Sequence, residues 1–337
     1  MRWQAQALDV EDGALPGLTR AGLVRSVRTP EFDGVTFHEV LCKSALNKMP
    51  ESSSLPFRWT INPMRGCTHA CRYCFARSSH EYLDLDAGRD FDSQIVVKTN
   101  VAAVLRRELA RRSWRREAVA LGTNTDPYQR AEGRYRLMPG IIRALTDADT
   151  PFSILTKGPL LRRDLPLLTE AARRVEVSVA VSIAILDMDL HRGLEPGTPA
   201  PRARLDLVRA LADAGFAVHV MVAPVIPCLT DSKAHLDALF AAIAEAGATS
   251  AVAFPMHLRG STRDWFLGWL GTEHPALMRR YRQLYGRGAN VTPAYATWLR
   301  ERVNPLLDAY DLRRPQGRTT PATPTPAPAD PQLALFG

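Results

Sequence analysis

The chain has 337 residues, of which 46% are hydrophobic and 23% are charged, and its formal net charge is +8. These are ordinary values for a globular protein, and a chain of this length can bury one substantial core. No apolar run reaches the roughly 18 residues that a membrane-spanning helix needs, and the first dozen residues hold no apolar stretch typical of a secretory signal. The composition therefore predicts a cytoplasmic protein that does not enter a membrane.

The first 56 residues are predicted to form an irregular N-terminal lead-in. They mix turn signals with one short strand-like run at 35–40, and they end in a polar loop at 49–54. From residue 57 onward, short β-branched runs alternate with amphipathic stretches of ten to fifteen residues. This alternation is typical of βα units that build a parallel sheet.

Six strands and five helices are predicted in this alternating region. The strands are 57–61, 118–121, 152–155, 175–183, 217–222 and 250–254, and the helices are 100–112, 139–148, 159–173, 202–214 and 233–246. Such elements form either a doubly wound sheet or a barrel, and in both folds the ligand lies at the carboxyl ends of the strands. Functional residues are therefore expected directly after the strands.

The remainder of the chain is predicted to form helices and then a disordered tail. In 257–312, aromatic and leucine residues recur at helical spacing, which indicates C-terminal helices packed on the preceding domain. From residue 313 the composition is dominated by Pro, Thr and Ala, and such a segment cannot bury enough apolar surface to fold. The predicted segments are 1–56, 57–256, 257–312 and 313–337.

Three of the five cysteines lie within eight positions, directly after the first predicted strand. They are Cys67, Cys71 and Cys74, in a C-x3-C-x2-C arrangement. Three thiolates at this spacing can bind three irons of an iron–sulfur cube and leave its fourth iron without a protein ligand. A structural zinc site is the alternative, but zinc normally takes four ligands, and Cys42 and Cys228 stand singly. His69 is either a fourth ligand or an ordinary loop histidine.

With Tyr73 before the third cysteine, this motif resembles that of the radical S-adenosylmethionine (SAM) superfamily. The wider pattern resembles the spore-photoproduct-lyase-like branch of that superfamily, which is also called DNA-repair-photolyase-like. The matching segments are Asn62-Pro63, Arg65-Gly66-Cys67, 122–129, Thr156-Lys157, Arg163-Asp164, Ser182-Ile183, Glu195-Pro196 and 223–227. The resemblance covers nearly two thirds of the chain, from about residue 43 to residue 255.

The resemblance implies a fold, two cofactors and a reaction. The fold would be a partial (β/α)6 barrel of the TIM type. Its three cysteines would hold a [4Fe-4S] cluster, whose open iron binds the amine and carboxylate of SAM. Reduction of SAM at the cluster would release a 5'-deoxyadenosyl radical, which abstracts a hydrogen atom from the substrate. DNA would be the substrate, and a reductant protein such as flavodoxin or ferredoxin would supply the electron.

The resemblance also implies which residues surround SAM. They are Tyr73, Gly122, Asn124, Asp126, Lys157, Ser182, Glu195 and Arg204. Several have an ordinary structural alternative, because Asp126-Pro127 could simply form a turn, Lys157 could be a solvated strand end, and Ser182 could face a helix. Glu195 and Arg204 could be solvated surface charges.

The chain departs from the family pattern at the hydrogen donor. Spore photoproduct lyases use a further cysteine for this step, and no cysteine lies near the second or third predicted strand. Cys228 follows the fifth predicted strand and is the candidate hydrogen donor. The alternative is a free cysteine that packs as a small apolar side chain.

The segment 106–116 contains six arginines in eleven residues. It either contacts the phosphates of a nucleic acid or forms a solvated helix face paired with Glu108 and Glu117. The leading hypothesis is a radical SAM enzyme that acts on a nucleic acid in DNA repair. The second is a radical SAM enzyme that acts on a peptide or small molecule, and the third is a non-catalytic zinc or iron–sulfur binding module.

The chain ends in an apolar peptide that follows the Pro-rich tract. This peptide resembles the Q-L-x-L-F motif with which bacterial replication and repair proteins bind the β sliding clamp. The matching positions are Gln332, Leu333, Leu335 and Phe336. A flexible tether would let the peptide reach an apolar groove on the clamp. The alternative is that the apolar end folds back onto its own domain.

Overall fold

The computed structural model describes residues 7–8, 22–51, 53, 55 and 57–313. The predictions for 314–337, including the clamp-binding peptide, lie outside the described residues. The strands are β1 (Ala7–Leu8), β2 (Leu23–Arg28), β3 (Thr36–Val40), β4 (Leu46–Lys48), β5 (Trp59–Ile61), β6 (Met64–Arg65), β7 (Gln94–Lys98), β8 (Val119–Leu121), β9 (Phe152–Thr156), β10 (Val177–Ser182), β11 (Val218–Val225) and β12 (Ser250–Pro255).

The helices follow the strands in regular alternation through the middle of the chain. The α-helices are α1 (Arg89–Ser93), α2 (Val101–Leu109), α3 (Arg130–Tyr135), α4 (Met138–Asp147), α5 (Leu165–Ala171), α6 (Met188–Leu194), α7 (Pro201–Asp213), α8 (Lys233–Glu245), α9 (Ser261–Glu273), α10 (Met278–Tyr285) and α11 (Pro293–Ala309). Short 3₁₀ helices lie at Pro30–Phe32, Phe75–Leu83, Pro159–Asp164 and Pro275–Leu277.

The larger sheet contains seven strands in the order β12-β11-β10-β9-β8-β5-β4. Each neighbouring pair from β5 to β12 is parallel, and β4 runs antiparallel to β5. In register, Ile61 lies beside Leu121, and Leu121 lies beside Ile154. Among the strands described, β4 and β12 do not pair with each other, so the sheet is an open, partial barrel. The predicted fold and its six parallel strands are confirmed.

Four of the five predicted helices are confirmed as single helices, namely α2, α4, α7 and α8. The fifth differs, because residues 159–173 form the 3₁₀ helix Pro159–Asp164 followed by α5. Pro166 has no backbone N–H and would clash in a helix interior, so it is tolerated only in the first turn. The α-helix therefore begins at Leu165, directly before this proline.

A second sheet has five strands in the order β1-β2-β3-β7-β6. The predicted strand at 35–40 is confirmed as β3. Strand β7 is not among the predicted strands, and it pairs in parallel with β3 and antiparallel with β6. Strand β6 ends at Arg65, directly before residues 66–74, which carry the three cysteines and are called the cysteine segment here. Through the pairing of β6 with β7, the second sheet supports this segment. The division of the chain into four segments stays a prediction.

The helices predicted in 257–312 are α9, α10 and α11, and their buried side chains join the main core. The backbone N–H of Ala251 in β12 donates to the carbonyl of Leu312 (2.9 Å). The segment after α11 therefore covers one edge of the larger sheet. Within the part of the chain that the structure describes, no helix has the length and apolar character needed to span a membrane.

Candidate active site

The three cysteines lie on two tight turns directly after β6. The N–H of Ala70 donates to the carbonyl of Cys67 (3.2 Å), and the N–H of Cys74 donates to the carbonyl of Cys71 (3.3 Å). Ala70 has a left-handed φ of 53°, which reverses the chain between the first two cysteines. All three cysteines line one cavity, which lies at the carboxyl ends of the parallel strands.

The buried side chain of Arg77 forms hydrogen bonds with the backbone in the middle of the cysteine segment. Its guanidinium donates to the carbonyl of Cys71 (2.9 and 3.2 Å) and to the carbonyl of Gly88 (2.6 Å). It also donates to the carboxylate of Asp92 (2.9 and 3.0 Å) and lies 4.8 Å from the ring centre of Trp265. The side chain is fully buried. Sequence reasoning missed Arg77, because its burial depends on a contact from the distant helix α9.

Gly66 lies directly before the first cysteine and contacts two other parts of the chain. Gly66 has a φ of 80°, and a Cβ atom there would lie 2.9 Å from the carbonyl oxygen of Phe91. The Gly66 carbonyl accepts from Thr125 Oγ1 (2.7 Å) and from Gln129 Nε2 (3.1 Å). Gln129 Oε1 in turn accepts from the N–H of Thr68 (2.9 Å). These bonds fix the cysteine segment against the residues that follow β8.

The cavity has a volume of about 220 Å³. Its inner part is lined by residues that follow successive parallel strands, together with the cysteine segment. Six residues of the set that the resemblance places around SAM line it, namely Tyr73, Gly122, Asn124, Asp126, Lys157 and Ser182. The other two residues of that set, Glu195 and Arg204, do not line the cavity.

Asp126 connects the loops that follow β8 and β9. Its carboxylate accepts from Thr156 Oγ1 (2.5 Å) and from the backbone N–H groups of Tyr128 (2.9 Å) and Lys157 (2.6 Å). The buried ring of His69 also lines the cavity, and its Nδ1 lies 3.4 Å from the Asp126 carboxylate. Asp126 therefore orders the backbone of the cavity wall as well as lining it.

The side chain of Lys157 lies in the cavity beside Ser182. Lys157 Nζ donates to Ser182 Oγ (2.7 Å) and lies 5.8 Å from the ring centre of Tyr73. It also lies 3.9 Å from Glu195 Oε1, and the lysine side chain is 14% exposed. A partly dehydrated ammonium at this position would attract the carboxylate of a ligand in the cavity.

Glu195 and Arg204 form a buried network behind the cavity. Both residues are fully buried, and the Glu195 carboxylate accepts from the Arg204 guanidinium and from the Tyr73 hydroxyl. Arg204 also donates to the carbonyl of Ser182 (3.2 Å). Burial alone would raise the pKa of Glu195, but the charges of Arg204 and Lys157 outweigh it and lower the pKa to about 2. The network therefore joins the cysteine segment to the end of β10 through an ionised carboxylate.

Cys228 is not among the residues that line the cavity. It follows β11 with a left-handed φ of 64°, and the residue is exposed. Its N–H donates to Asp231 Oδ2 (2.9 Å), which also accepts from the Tyr295 hydroxyl (2.6 Å). The structure therefore does not bring the candidate hydrogen donor to the three cysteines. It does not bury Cys228 as an apolar side chain either.

The outer wall of the cavity is mostly apolar, and of its residues sequence reasoning singled out only Pro224, as part of the matching segment 223–227. The wall residues are Phe75, Leu155, Met221, Pro224, Phe254, Met256 and His257. Phe75 is 59% exposed, and the rings of Phe254 and His257 lie 6.1 Å apart. Phe254 and His257 come from β12 and the residues that follow it. They therefore lie where functional residues are expected, at the carboxyl end of a predicted strand, but an aromatic residue there does not by itself indicate a ligand site.

The three thiols fit an iron–sulfur cluster better than a single metal ion. Burial raises the pKa of Cys67, Cys71 and Cys74, so a cationic metal centre is needed to hold them as thiolates. Among the described residues, no group of three or more Cys, His, Asp or Glu is arranged around one ion position. In an iron–sulfur cube each thiolate binds a different iron, so the three thiols do not have to converge on one point.

Comparison with known sequences identifies the family. The family model of the Radical SAM superfamily matches residues 61–240. An uncharacterized protein of Mycobacterium tuberculosis (strain ATCC 25618 / H37Rv) is 64% identical over 337 residues, which is 98% of this chain and 99% of that protein. An uncharacterized protein of Methanocaldococcus jannaschii is 26% identical over 174 residues, which is 52% of this chain and 62% of that protein.

The fold is similar to that of spore photoproduct lyase. A structure of that lyase complexed with dinucleoside spore photoproduct superposes with a TM-score of 0.60 at 15% identity, over 81% of this chain and 79% of that chain. A mutant of the lyase with bound AdoMet and dinucleoside spore photoproduct gives a TM-score of 0.58 at 15% identity, over 77% and 76% of the two chains. Because the superfamily match covers more than half of the sequence, the chain belongs to the radical SAM superfamily and is an enzyme of the kind that uses a [4Fe-4S] cluster and SAM.

Proposed function

We propose that this radical SAM enzyme acts on DNA and repairs a damaged base presented at the mouth of the cavity. The aromatic residues at the mouth of the cavity carry the proposal, because the cofactors would occupy its inner part and leave this outer wall to the substrate.

The mouth of the cavity suits a flat ring. Phe75 exposes most of its surface to solvent, and Phe254 and His257 line the same wall. Nucleobases stack on aromatic side chains with roughly 1–3 kcal/mol per base. An aliphatic peptide side chain would gain no such stacking, so the wall favours a nucleobase over a peptide substrate that presents an aliphatic side chain.

We assign the inner part of the cavity to the cofactors. When bound, they supply the one-electron cleavage of SAM and a carbon radical that takes a hydrogen atom from the substrate. The three thiolates of Cys67, Cys71 and Cys74 would hold the cluster. Lys157 would pair with the carboxylate of SAM, and Ser182 would form a hydrogen bond with its ribose. The apolar outer wall would keep water away from the reacting atoms.

The solved lyase structures support DNA as the substrate class. One of them is complexed with a dinucleoside spore photoproduct, and its fold is shared over most of this chain. The hydrogen donor is a point of difference, because the exposed Cys228 lies outside the cavity wall. We therefore propose repair of a DNA lesion without assigning Cys228 to the hydrogen-transfer step.

Anaerobic turnover tests this proposal. The reconstituted enzyme, given SAM, a chemical reductant and ultraviolet-irradiated DNA, should form 5'-deoxyadenosine and restore intact bases, both measured by mass spectrometry. Cys71→Ala is the matched control and should form neither product. If irradiated and unirradiated DNA give the same 5'-deoxyadenosine yield and no base is restored, the proposal is wrong and the peptide or small-molecule alternative gains support.

We also propose that the tail delivers the enzyme to DNA through the β sliding clamp. This proposal rests on the sequence motif at 332–336, and a tethered contact with the clamp would raise the effective concentration of the enzyme at DNA. The 25-residue tail peptide should bind purified clamp, and the Leu335→Ala/Phe336→Ala double variant should not. Equal binding by both peptides, or by neither, contradicts it.

The electron donor is proposed to be a cytoplasmic reductant protein such as flavodoxin or ferredoxin. In the turnover assay, the reduced donor protein should then replace the chemical reductant. Failure of both donor proteins, while the chemical reductant still supports turnover, would exclude them.

A further inference from the structure

We propose that the protein has a second nucleic-acid contact and that this contact binds single-stranded nucleic acid. It lies at the end of the larger sheet where the parallel strands begin, opposite the cavity. Its biological role rests on the proposed function, but its existence can be tested without it. We name this surface the basic face. Its cationic side chains, all exposed, are Lys48, Arg58, Arg106, Arg107, Arg111, Arg112, Arg115 and Arg116.

The basic face lies at the amino ends of the strands. Strands β5 and β8 are parallel, and they begin at Trp59 and Val119. Arg58 and the segment 106–116 come directly before these starts, and Lys48 lies beside Trp59 in the register of β4 and β5. The cavity residues instead follow the carboxyl ends of the same strands. The basic face therefore lies at the amino ends of the parallel strands, and the cavity lies at their carboxyl ends.

The solvated-face alternative pairs the arginines with Glu108 and Glu117, but these two carboxylates are hydrogen-bonded to other groups. The Glu108 carboxylate accepts from the backbone N–H groups of Ala45 (3.0 Å) and Leu46 (2.9 Å), so it faces the protein. The Glu117 carboxylate accepts from Trp59 Nε1 (2.6 Å).

An ion pair links only one of the six arginines of 106–116 to a carboxylate of the described residues. This pair joins Arg116 to Asp149 at 3.7 Å, and both side chains are more than half exposed. Such exposed pairs contribute little free energy, because water and salt screen them. The face therefore keeps most of its positive charge available to an external polyanion.

Two tryptophans add an aromatic element to the basic face. Trp59 and Trp114 lie 5.3 Å apart with their rings at 68°. Trp114 Nε1 donates to Thr150 Oγ1 (2.9 Å), and Trp59 is held by its bond to Glu117, so both rings are fixed in place. They line a cavity of about 360 Å³, whose other lining residues are three cationic side chains, two acidic side chains and a serine, namely Lys48, Arg58, Arg115, Glu51, Glu117 and Ser113.

This combination fits single-stranded nucleic acid better than other polyanions. Guanidinium groups pair with phosphates along the backbone, and exposed bases can stack on aromatic rings. In a duplex the bases are paired and stacked on each other, so the tryptophan cavity would stay unused. An acidic protein surface would likewise satisfy the arginines without offering a flat ring to the tryptophans.

A binding assay with the full reconstituted protein tests the inference. Fluorescence anisotropy would measure the Kd for a labelled 20-mer of thymidylate, for a 20-mer duplex and for an abasic 20-mer with the same phosphates. The variant is Arg111→Glu/Arg112→Glu. The control is Arg143→Glu/Arg300→Glu, which makes the same charge change at exposed positions of α4 and α11.

The expected results separate this contact from the cavity. Wild type should prefer the thymidylate 20-mer to the duplex and to the abasic strand. The Arg111/Arg112 variant should raise Kd by about tenfold or more, and should reduce the salt slope of log K by about 1.4, which is about 0.7 for each lost phosphate contact. The control should change neither quantity, and both variants should retain SAM affinity and turnover of a dinucleoside-sized substrate.

Two outcomes would overturn the inference. Equal weakening by the Arg111/Arg112 variant and by the control would mean that only net charge matters. Equal affinity for the thymidylate and abasic strands would mean that the tryptophan cavity takes no base. Failure of DNA repair in the turnover assay is a separate result, because strand binding at the basic face is measured without catalysis.

Discussion

Replacing Glu195 by alanine tests how much its buried ion pair and hydrogen bond contribute to the free energy of unfolding. In the wild type its carboxylate balances the charge of the fully buried Arg204 and accepts from the Tyr73 hydroxyl. Glu195→Ala leaves Arg204 as an uncompensated buried charge, which typically costs about 3–5 kcal/mol. The lowering of the Glu195 pKa from its ordinary 4.5 to about 2 corresponds to a similar figure, about 3 kcal/mol.

Urea denaturation of the reconstituted protein, followed anaerobically by circular dichroism, measures this loss. Glu195→Gln keeps a hydrogen-bond acceptor but not the charge, so it should lose less stability than Glu195→Ala. Glu170→Ala is the matched control at an exposed position of α5, and its free energy of unfolding should change by less than about 0.5 kcal/mol. A loss below about 1 kcal/mol in Glu195→Ala would refute the reasoning, because the buried charge would then have another partner.

The lowered pKa also sets a pH dependence. Because the pKa of Glu195 is lower in the folded state, its contribution is present in full above the ordinary value of 4.5 and is lost as the pH falls towards 2. The difference in unfolding free energy between wild type and Glu195→Gln should therefore be constant above about pH 5 and shrink below it. A difference that grows on acidification would mean that the folded state raises this pKa.

Three further predictions concern the cavity. Lys157→Ala should weaken SAM binding by about tenfold to a hundredfold in anaerobic calorimetry, because the ammonium that would pair with the SAM carboxylate is lost. The absorbance of the cluster should stay intact, and an unchanged SAM affinity would remove Lys157 from the SAM site. Gly122→Ala should cost more than about 2 kcal/mol in urea denaturation, because the new Cβ would lie 2.0 Å from the Leu155 carbonyl oxygen at a φ of 92°. Its control, Gly268→Ala in α9, has no atom within 4 Å of the new Cβ and should stabilise the protein by about 0.5–1 kcal/mol. Phe75→Ala should weaken binding of a dinucleotide by about 1–3 kcal/mol without changing SAM affinity, and Phe75→Tyr should retain binding; a parallel loss of SAM affinity would contradict the stacking role.

The elements that sequence patterns predicted correctly are those fixed by local signals. The six parallel strands are short β-branched runs bounded by turn residues, and the crossover helices have apolar residues at helical spacing. Strand β7 escaped prediction because a five-residue run such as Gln94–Lys98 cannot be distinguished by periodicity from part of a helix. Its strand conformation is fixed by pairing with β3 and β6, which are distant in sequence.

Some residues of the candidate site are likewise marked by local sequence signals, and others are brought there by distant parts of the chain. The cysteine motif and the polar residues after β8, β9 and β10 are marked by their spacing and by their position after strands. Phe254 and His257 lie at the end of a predicted strand, but their residue types do not mark them as site residues, and the Trp265 ring that packs on Arg77 comes from the distant helix α9. Glu195 and Arg204 form an ion pair behind the cavity wall, and a role of either residue towards SAM stays a prediction. A sequence pattern reports that charged residues are near a site, but it does not report which of them face the ligand.

The contacts of the cysteine segment have a consequence for how this enzyme can be shortened. Strand β6, which leads into the cysteine segment, pairs with β7. At the other end of the segment, Thr262 Oγ1 in α9 donates to the carbonyl of Cys74 (2.9 Å). The superfamily match ends at residue 240, before α9 begins at Ser261. A protein trimmed to the matched region would therefore keep all three cysteines and Arg77 but lose the Trp265 ring that packs on Arg77. We therefore expect a protein trimmed to the matched region to load less iron than the full chain, and truncations for expression or crystallisation should end beyond Glu273.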